Sequence, residues 1–253
     1  MSKYDSYVIC TSPRSGSTLL CKLLAATGIA GNPGSHFHSL SLSDWLSYYD
    51  LAPEASVSER DVLDAIFQAA IAKGSLETGT FGLRLQRHSF DFFVQKLAVL
   101  HSGLSSDSQR FRAAFGRTSF IHLTRRDKVE QAVSYVKAHQ TGLWHVAPDG
   151  TELERLSPPI ELIYDGNDIR ARFEEVAAYD RDWERWFATE DIDPLRITYD
   201  ALSAHPIETL SQILDHLGLD CEAASGVEPG VAKLADETSQ DWVARFRSEY
   251  SIA

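Results

Sequence analysis

The stretch Ser6-Tyr7-Val8-Ile9-Cys10-Thr11-Ser12-Pro13-Arg14-Ser15-Gly16-Ser17-Thr18-Leu19-Leu20 reads as three successive elements. Residues 6–10 have strand character, residues 11–18 are rich in hydroxyls with one proline and one glycine, and Leu19, Leu20, Leu23 and Leu24 recur at helical spacing. A strand, a loop and a helix in that order turn backbone N–H groups and the positive end of a helix dipole onto one point, which is an anion site. Hydroxyls at Ser15, Ser17 and Thr18 add donors, and Arg14 adds a cation. In the nucleotide-triphosphatase loop, G-x-x-x-x-G-K-S/T, a lysine holds the β- and γ-phosphates. Setting Gly16 on its second glycine puts Ser17 at the lysine, so this loop suits a shorter terminal anion better than a magnesium-bound triphosphate.

Outward from that loop the same unit recurs. Residues 28–34 are turn-rich; Ser58, three residues ahead of Asp61, opens an amphipathic helix over Val62, Ile66 and Ala70 that Gly74 closes. A strand is expected at 80–85, a helix at 90–101, a polar loop at 103–109 and a buried strand at 119–123. That strand runs into Thr124-Arg125-Arg126-Asp127 and a helix through His139. Residues 141–170 lack periodicity and read as a lid or insertion. A long helix at 169–189 follows, its Trp183 and Trp186 read as core, then a strand at 195–198 and a helix at 206–217 stopped by Gly218. Helices alternating with short apolar strands imply an α/β fold with a mostly parallel sheet flanked by helices. Ligands bind such sheets at the carboxyl ends of the strands, which puts Arg14, Arg84 and Arg125 on one rim.

Composition narrows the partners. Apolar residues at 43% and charged residues at 24% describe an ordinary folding chain and exclude wholesale disorder. The 24 Lys and Arg against 36 Asp and Glu give a net charge of −12, the wrong balance for a generic nucleic-acid binder. An anionic ligand must therefore find a local basic pocket. No apolar run is long enough for a membrane span and no secretory leader opens the chain, so a cytoplasmic protein that is not integral to a membrane is expected. Cys10, Cys21 and Cys221 share no C-x-x-C spacing and read as free thiols, with no metal site expected.

Two motifs together, Ser12-Pro13-Arg14-Ser15-Gly16-Ser17-Thr18-Leu19-Leu20 and Arg125-Arg126-Asp127 leading to Gln131-Ala132-x-Ser134, resemble the bacterial trehalose 2-sulfotransferase family. The likeness extends through Ala138-His139-Gln140-Thr141-Gly142-Leu143-Trp144, the Trp183/Trp186 pair, Ile197-Thr198-Tyr199-Asp200-Ala201-Leu202 ahead of Pro206, and Ala235-Asp236 with Trp242, which is nearly the whole chain. The resemblance implies a P-loop-type single domain over residues 1–253 and 3′-phosphoadenosine 5′-phosphosulfate (PAPS) as co-substrate without a metal. It also implies a hydroxylated small-molecule acceptor such as a sugar or glycolipid, and a homodimer. It implies that Arg14, Ser15, Gly16, Ser17 and Thr18 hold the 5′-phosphosulfate, that Arg125 and Ser134 hold the 3′-phosphate, and that Arg14 assists catalysis.

The departures bear on mechanism. By a gapless reading the family's glutamate, its proposed base, falls at Ser35, so no carboxylate stands there and the base is sought in His36, then His38, whose imidazoles titrate near neutrality. The family's usual lysine falls at Arg84, which keeps the charge and gains a fork geometry. Ser35 and Arg84, with Trp45 and Trp144 as aromatic planes for a pyranose, are the expected acceptor residues. A P-loop kinase and a non-catalytic nucleotide-binding protein are the alternatives.

Overall fold

The computed structural model describes residues 2–52 and 57–252. In chain order the elements are β1 (Ser6–Thr11), α1 (Ser17–Ala26), α2 (Leu42–Tyr48), α3 (Glu59–Ser75), β2 (Phe81–Gln86), α4 (Arg87–Leu100), α5 (Asp107–Phe115), β3 (Thr118–Thr124) and α6 (Lys128–Thr141). There follow β4 (Leu143–Val146), β5 (Glu152–Arg155), α7 (Gly166–Thr189), β6 (Leu195–Thr198), α8 (Tyr199–Ala204), α9 (Pro206–Leu217), a 3-10 turn (Cys221–Ala224) and α10 (Glu237–Tyr250). Four strands form a parallel sheet in the order β2-β1-β3-β6, and β4 pairs antiparallel with β5 as a separate hairpin.

β1 is central and wholly buried, which is why its sequence lacks polar alternation. Its successive side chains feed two different cores. Val8 and Cys10 join Leu83, Leu85, Phe67, Phe93, Phe111 and Trp183 on one face, under α3, α4, α5 and α7. Tyr7 and Ile9 join Ile121, Leu123, Leu20, Leu24, Leu210 and Leu214 on the other, under α1 and α9. A third cluster clamps α6, α7 and α10 together through Val133, Val136, Ile169, Trp242 and Phe246. The sheet flanked by helices on both faces is therefore the architecture that the alternation of elements implies.

Several elements had no legible signal. Residues 103–109 were expected as a loop, yet Ser106 caps α5 by accepting from the Gln109 N–H, and Phe111 and Phe115 bury one helical turn apart. α2, with Ser41 as its cap, hangs from Trp45; α10 opens on an Asp236–Ser239 capping box. The expected lid at 141–170 holds the β4–β5 hairpin, which starts where Gly142, left-handed at φ 68°, ends α6. A Cβ at Gly142 would lie 1.9 Å from the Ser157 carbonyl oxygen. Because the four sheet strands are parallel, the loops after β1, β2 and β3 open on one rim, and the hairpin lies beside that rim. Among the described residues no helix is long and apolar enough to cross a membrane.

Candidate active site

The loop between β1 and α1 is curled by two left-handed residues, Arg14 at φ 63° and Gly16 at φ 86°. Gly16 is required twice over, since it holds a conformation that L side chains avoid and a Cβ there would stand 2.5 Å from Cδ2 of Tyr199. As the N-cap of α1 it brings no side chain, so the first amides of the helix keep their donors for a ligand. The loop is anchored from behind. Gln131 Nε2, fully buried on α6, donates to Ser12 Oγ at 3.0 Å and to the Pro13 carbonyl at 2.6 Å, and Thr11 Oγ1 donates to the Leu123 carbonyl at 2.9 Å.

Three arginines meet at the rim. Arg14 Nε donates to Ser134 Oγ at 3.0 Å and its Nη1 to the Trp144 carbonyl at 2.6 Å. Burial, and then the nearby charge of Arg125, lower its pKa to about 10, which leaves it cationic at neutral pH. Arg125 is 8% exposed, lies with its guanidinium carbon 4.6 Å from the centroid of the Tyr199 ring, and donates to Glu130 Oε2 at 2.6 Å. Its Nε is buried with no partner, an unspent donor in the cleft wall. Arg84 Nε donates to Ser35 Oγ at 2.8 Å and its Nη1 to Thr18 Oγ1 at 2.9 Å. A chain of net charge −12 thus concentrates cations around one anion loop.

The remaining expected residues divide. Trp144 is half-buried on the cleft wall, packed against Tyr135 and His139 and 5.8 Å from the Arg14 guanidinium. Ser17 and Thr18 line the cleft, while the Ser15 hydroxyl turns inward onto Thr11 Oγ1 and leaves only the backbone of Ser15 for a ligand. Trp45 belongs to the core more than to a sugar floor: it is 2% exposed, packs against Phe37 and Phe92, and donates its indole N–H to the Ser39 carbonyl at 2.9 Å.

His36 is buried beside Phe81, with Nε2 3.4 Å from the Asn32 carbonyl and Nδ1 without a partner. Burial lowers its pKa to about 4, which makes it a weak proton acceptor. His38 is exposed on the cleft and edge-on to His88 at 5.1 Å, its pKa lowered by partial burial and then by Arg84. Sequence reasoning missed His145 and Glu154 on the hairpin. His145 Nε2 is 2.9 Å from Thr18 Oγ1, and Glu154 Oε2 is 3.3 Å from the same nitrogen. Tyr199 and Gln131 were read only as parts of motifs.

The cleft encloses about 1570 Å3, more than one small ligand fills, and runs from the loop and α6 to the hairpin and the loop around Ser35. With this geometry in place, comparison with known proteins identifies the lineage. The model of the Stf0 sulphotransferase family matches residues 6–249. The chain belongs to the Stf0 sulphotransferase family. It is similar to the trehalose 2-sulfotransferases of Mycobacterium tuberculosis and Mycolicibacterium smegmatis, at 29% identity in each case. The alignments cover 96% of this chain and 94% and 95% of those two proteins. Among solved structures it is similar to a sulfotransferase from Alicyclobacillus acidocaldarius at 11% identity and a TM-score of 0.46, covering 99% of this chain and 97% of that one. Stf0 membership agrees with the resemblance carried by the loop and by the Arg125 to Ser134 run.

Proposed function

We propose that this Stf0 protein transfers a sulfuryl group from PAPS to a hydroxyl of a carbohydrate or related small molecule. The observation that carries the reading is the pair of adjacent anion sites, one in the loop at Arg14 and α1, the other at Arg125 and Ser134, bridged by the Arg14–Ser134 hydrogen bond. PAPS carries its two anionic groups on one ribose, so two neighbouring sites with separate cations fit it. The fit is supported by the unpartnered Arg125 Nε and by the uncapped amides at the start of α1.

In an in-line transfer the acceptor oxygen forms a bond to sulfur while the bond from sulfur to the 5′-phosphate oxygen breaks, and the electron pair stays on that oxygen. Arg14 and the α1 amides stand where that charge grows, so their role is electrostatic stabilisation. Arg84, between Thr18 and Ser35, lies at the boundary between the donor loop and the acceptor side. Trp144 offers an aromatic wall to a pyranose. The sugar acceptor is supported by what the two mycobacterial relatives act on. A cytoplasmic location and a homodimer complete the reading.

Isothermal titration with adenosine 3′,5′-bisphosphate, AMP and Mg-ATP tests it. Micromolar binding of the bisphosphate with AMP much weaker is the expected result. A preference for Mg-ATP overturns the reading in favour of a kinase, and bisphosphate binding without turnover on any acceptor favours a non-catalytic nucleotide-binding protein.

A further inference from the structure

A hydroxyl attacking sulfur must lose its proton, and the cleft offers few groups to take it. Of the carboxylates on its wall, Glu130 is paired with Arg125, Glu175 with Arg172 and Asp236 with Lys137, while Asp44 accepts from the Ser39 hydroxyl. Glu154 differs. Its Oε2 lies 3.3 Å from the His145 imidazole nitrogen, and its side chain is 46% exposed. His145 is neutral at physiological pH, because burial and then the charges of Arg14, Arg84 and Lys22 lower its pKa to about 3.

The tautomer follows from the neighbours. A bare nitrogen lone pair would repel the Glu154 carboxylate 3.3 Å away, so Nε2 carries the hydrogen and donates it to Thr18 Oγ1, with Glu154 beside it. Thr18, accepting from Arg84 and His145, then keeps its own hydroxyl hydrogen for an anion in the loop. The cross-strand pairing of His145 with Glu154 holds the carboxylate in this place. A continuous line of contacts thus runs from Ser35 through Arg84, Thr18 and His145 to Glu154. The carboxylate that the loop at Ser35 lacks is present at the other end of that line, supplied by the hairpin.

We propose that Glu154 is the proton acceptor for the attacking hydroxyl, with His145 as its positioning residue. This rests on the transfer reading above. The hydroxyl proton passes to a Glu154 carboxylate oxygen as the oxygen–sulfur bond forms. The bond from sulfur to the 5′-phosphate oxygen breaks, that oxygen keeps the electron pair as adenosine 3′,5′-bisphosphate, and the Glu154 carboxylic acid later gives its proton to water.

The test uses the full chain, PAPS, and a panel of mono- and disaccharides that includes trehalose, with water as the default acceptor. Glu154→Gln keeps the shape and removes the base, so kcat should fall by about 10²- to 10⁴-fold while the Kd for adenosine 3′,5′-bisphosphate stays within about threefold. Ser35→Glu added to Glu154→Gln should recover part of the rate by restoring a carboxylate across the cluster. Turnover of Glu154→Gln within about tenfold of the parent overturns the assignment, as does an equal loss of bisphosphate affinity, which would make Glu154 part of donor binding. A large loss in His38→Ala but not in Glu154→Gln returns the role to the loop after Ser35. A parent protein that neither binds the bisphosphate nor consumes PAPS is a different result: it refutes sulfuryl transfer, and the Glu154 assignment falls with it.

Discussion

Arg14 Nε and Ser134 Oγ, 120 residues apart in sequence, meet at 3.0 Å and join the loop after β1 to the second turn of α6. The same guanidinium donates to the Trp144 carbonyl on the hairpin, so one side chain ties three separate segments around the mouth of the cleft.

Replacement of Arg14 by alanine should lower kcat by about 10²- to 10³-fold, the usual scale for removing one donor from a charge-stabilising site. Arg14→Lys should recover only a small part of this, since an ammonium cannot span Ser134 and the Trp144 carbonyl with a planar fork. Single-turnover measurement of adenosine bisphosphate release checks both, and near-parent rates in Arg14→Ala would remove the loop from the chemistry.

Arg125 contacts are expected to act equally in ground and transition states. Arg125→Ala should weaken adenosine 3′,5′-bisphosphate by about 10- to 100-fold, equivalent to one charge-assisted hydrogen bond, with AMP binding nearly unchanged. Titration calorimetry with both nucleotides reads the difference, and an equal loss for the two would place Arg125 outside the 3′-phosphate site.

Gly16→Ala meets Tyr199 at 2.5 Å as well as an unfavourable φ of 86°, whereas Gly28→Ala faces nothing within 4 Å at φ 68°. The first should cost about 2–4 kcal/mol and the second about 1, because only the first adds a steric collision to backbone strain. Urea midpoints of the two variants measure the gap; equal midpoints would mean that the Tyr199 ring moves aside freely.

Acid should unfold the protein over a defined window. His36 and His88 are held at about 4 and His145 at about 3, mainly by burial, against an ordinary value near 6.5. Between those limits the unfolded chain binds more protons than the folded one, so stability is full above about pH 6.5 and falls as pH drops toward 4. Urea titrations from pH 7.5 to 4 should show that slope, and His36→Phe should flatten it; a flat profile in the parent would show these imidazoles to be hydrated.

The sequence is legible where structure is local. β1, its loop and α1 lie within one short run, and Ser58 and Gly218 mark helix ends by capping chemistry that any reader of the chain can find. Arg84 and Arg125 follow from strand ends in a parallel sheet. Trp45 lines the cleft yet is almost wholly buried against Phe37, and an aromatic near a binding loop looks the same in sequence whether it faces a sugar or the core. His145 and Glu154 left no mark at all, since β5 is exposed along its length and carries no periodicity, and only pairing across the hairpin brings the two residues to Thr18.

The sheet order β2-β1-β3-β6 contains no neighbouring pair joined by a tight turn. Arg14, Arg84 and Arg125 therefore come together only when the crossovers between those strands are closed. The cluster of three arginines exists only in the folded chain, so a nucleotide that binds the rim is also a ligand of the whole native state. Its affinity should appear in full as added resistance to unfolding, and thermal shift on titration with adenosine 3′,5′-bisphosphate reports folding and recognition as a single equilibrium.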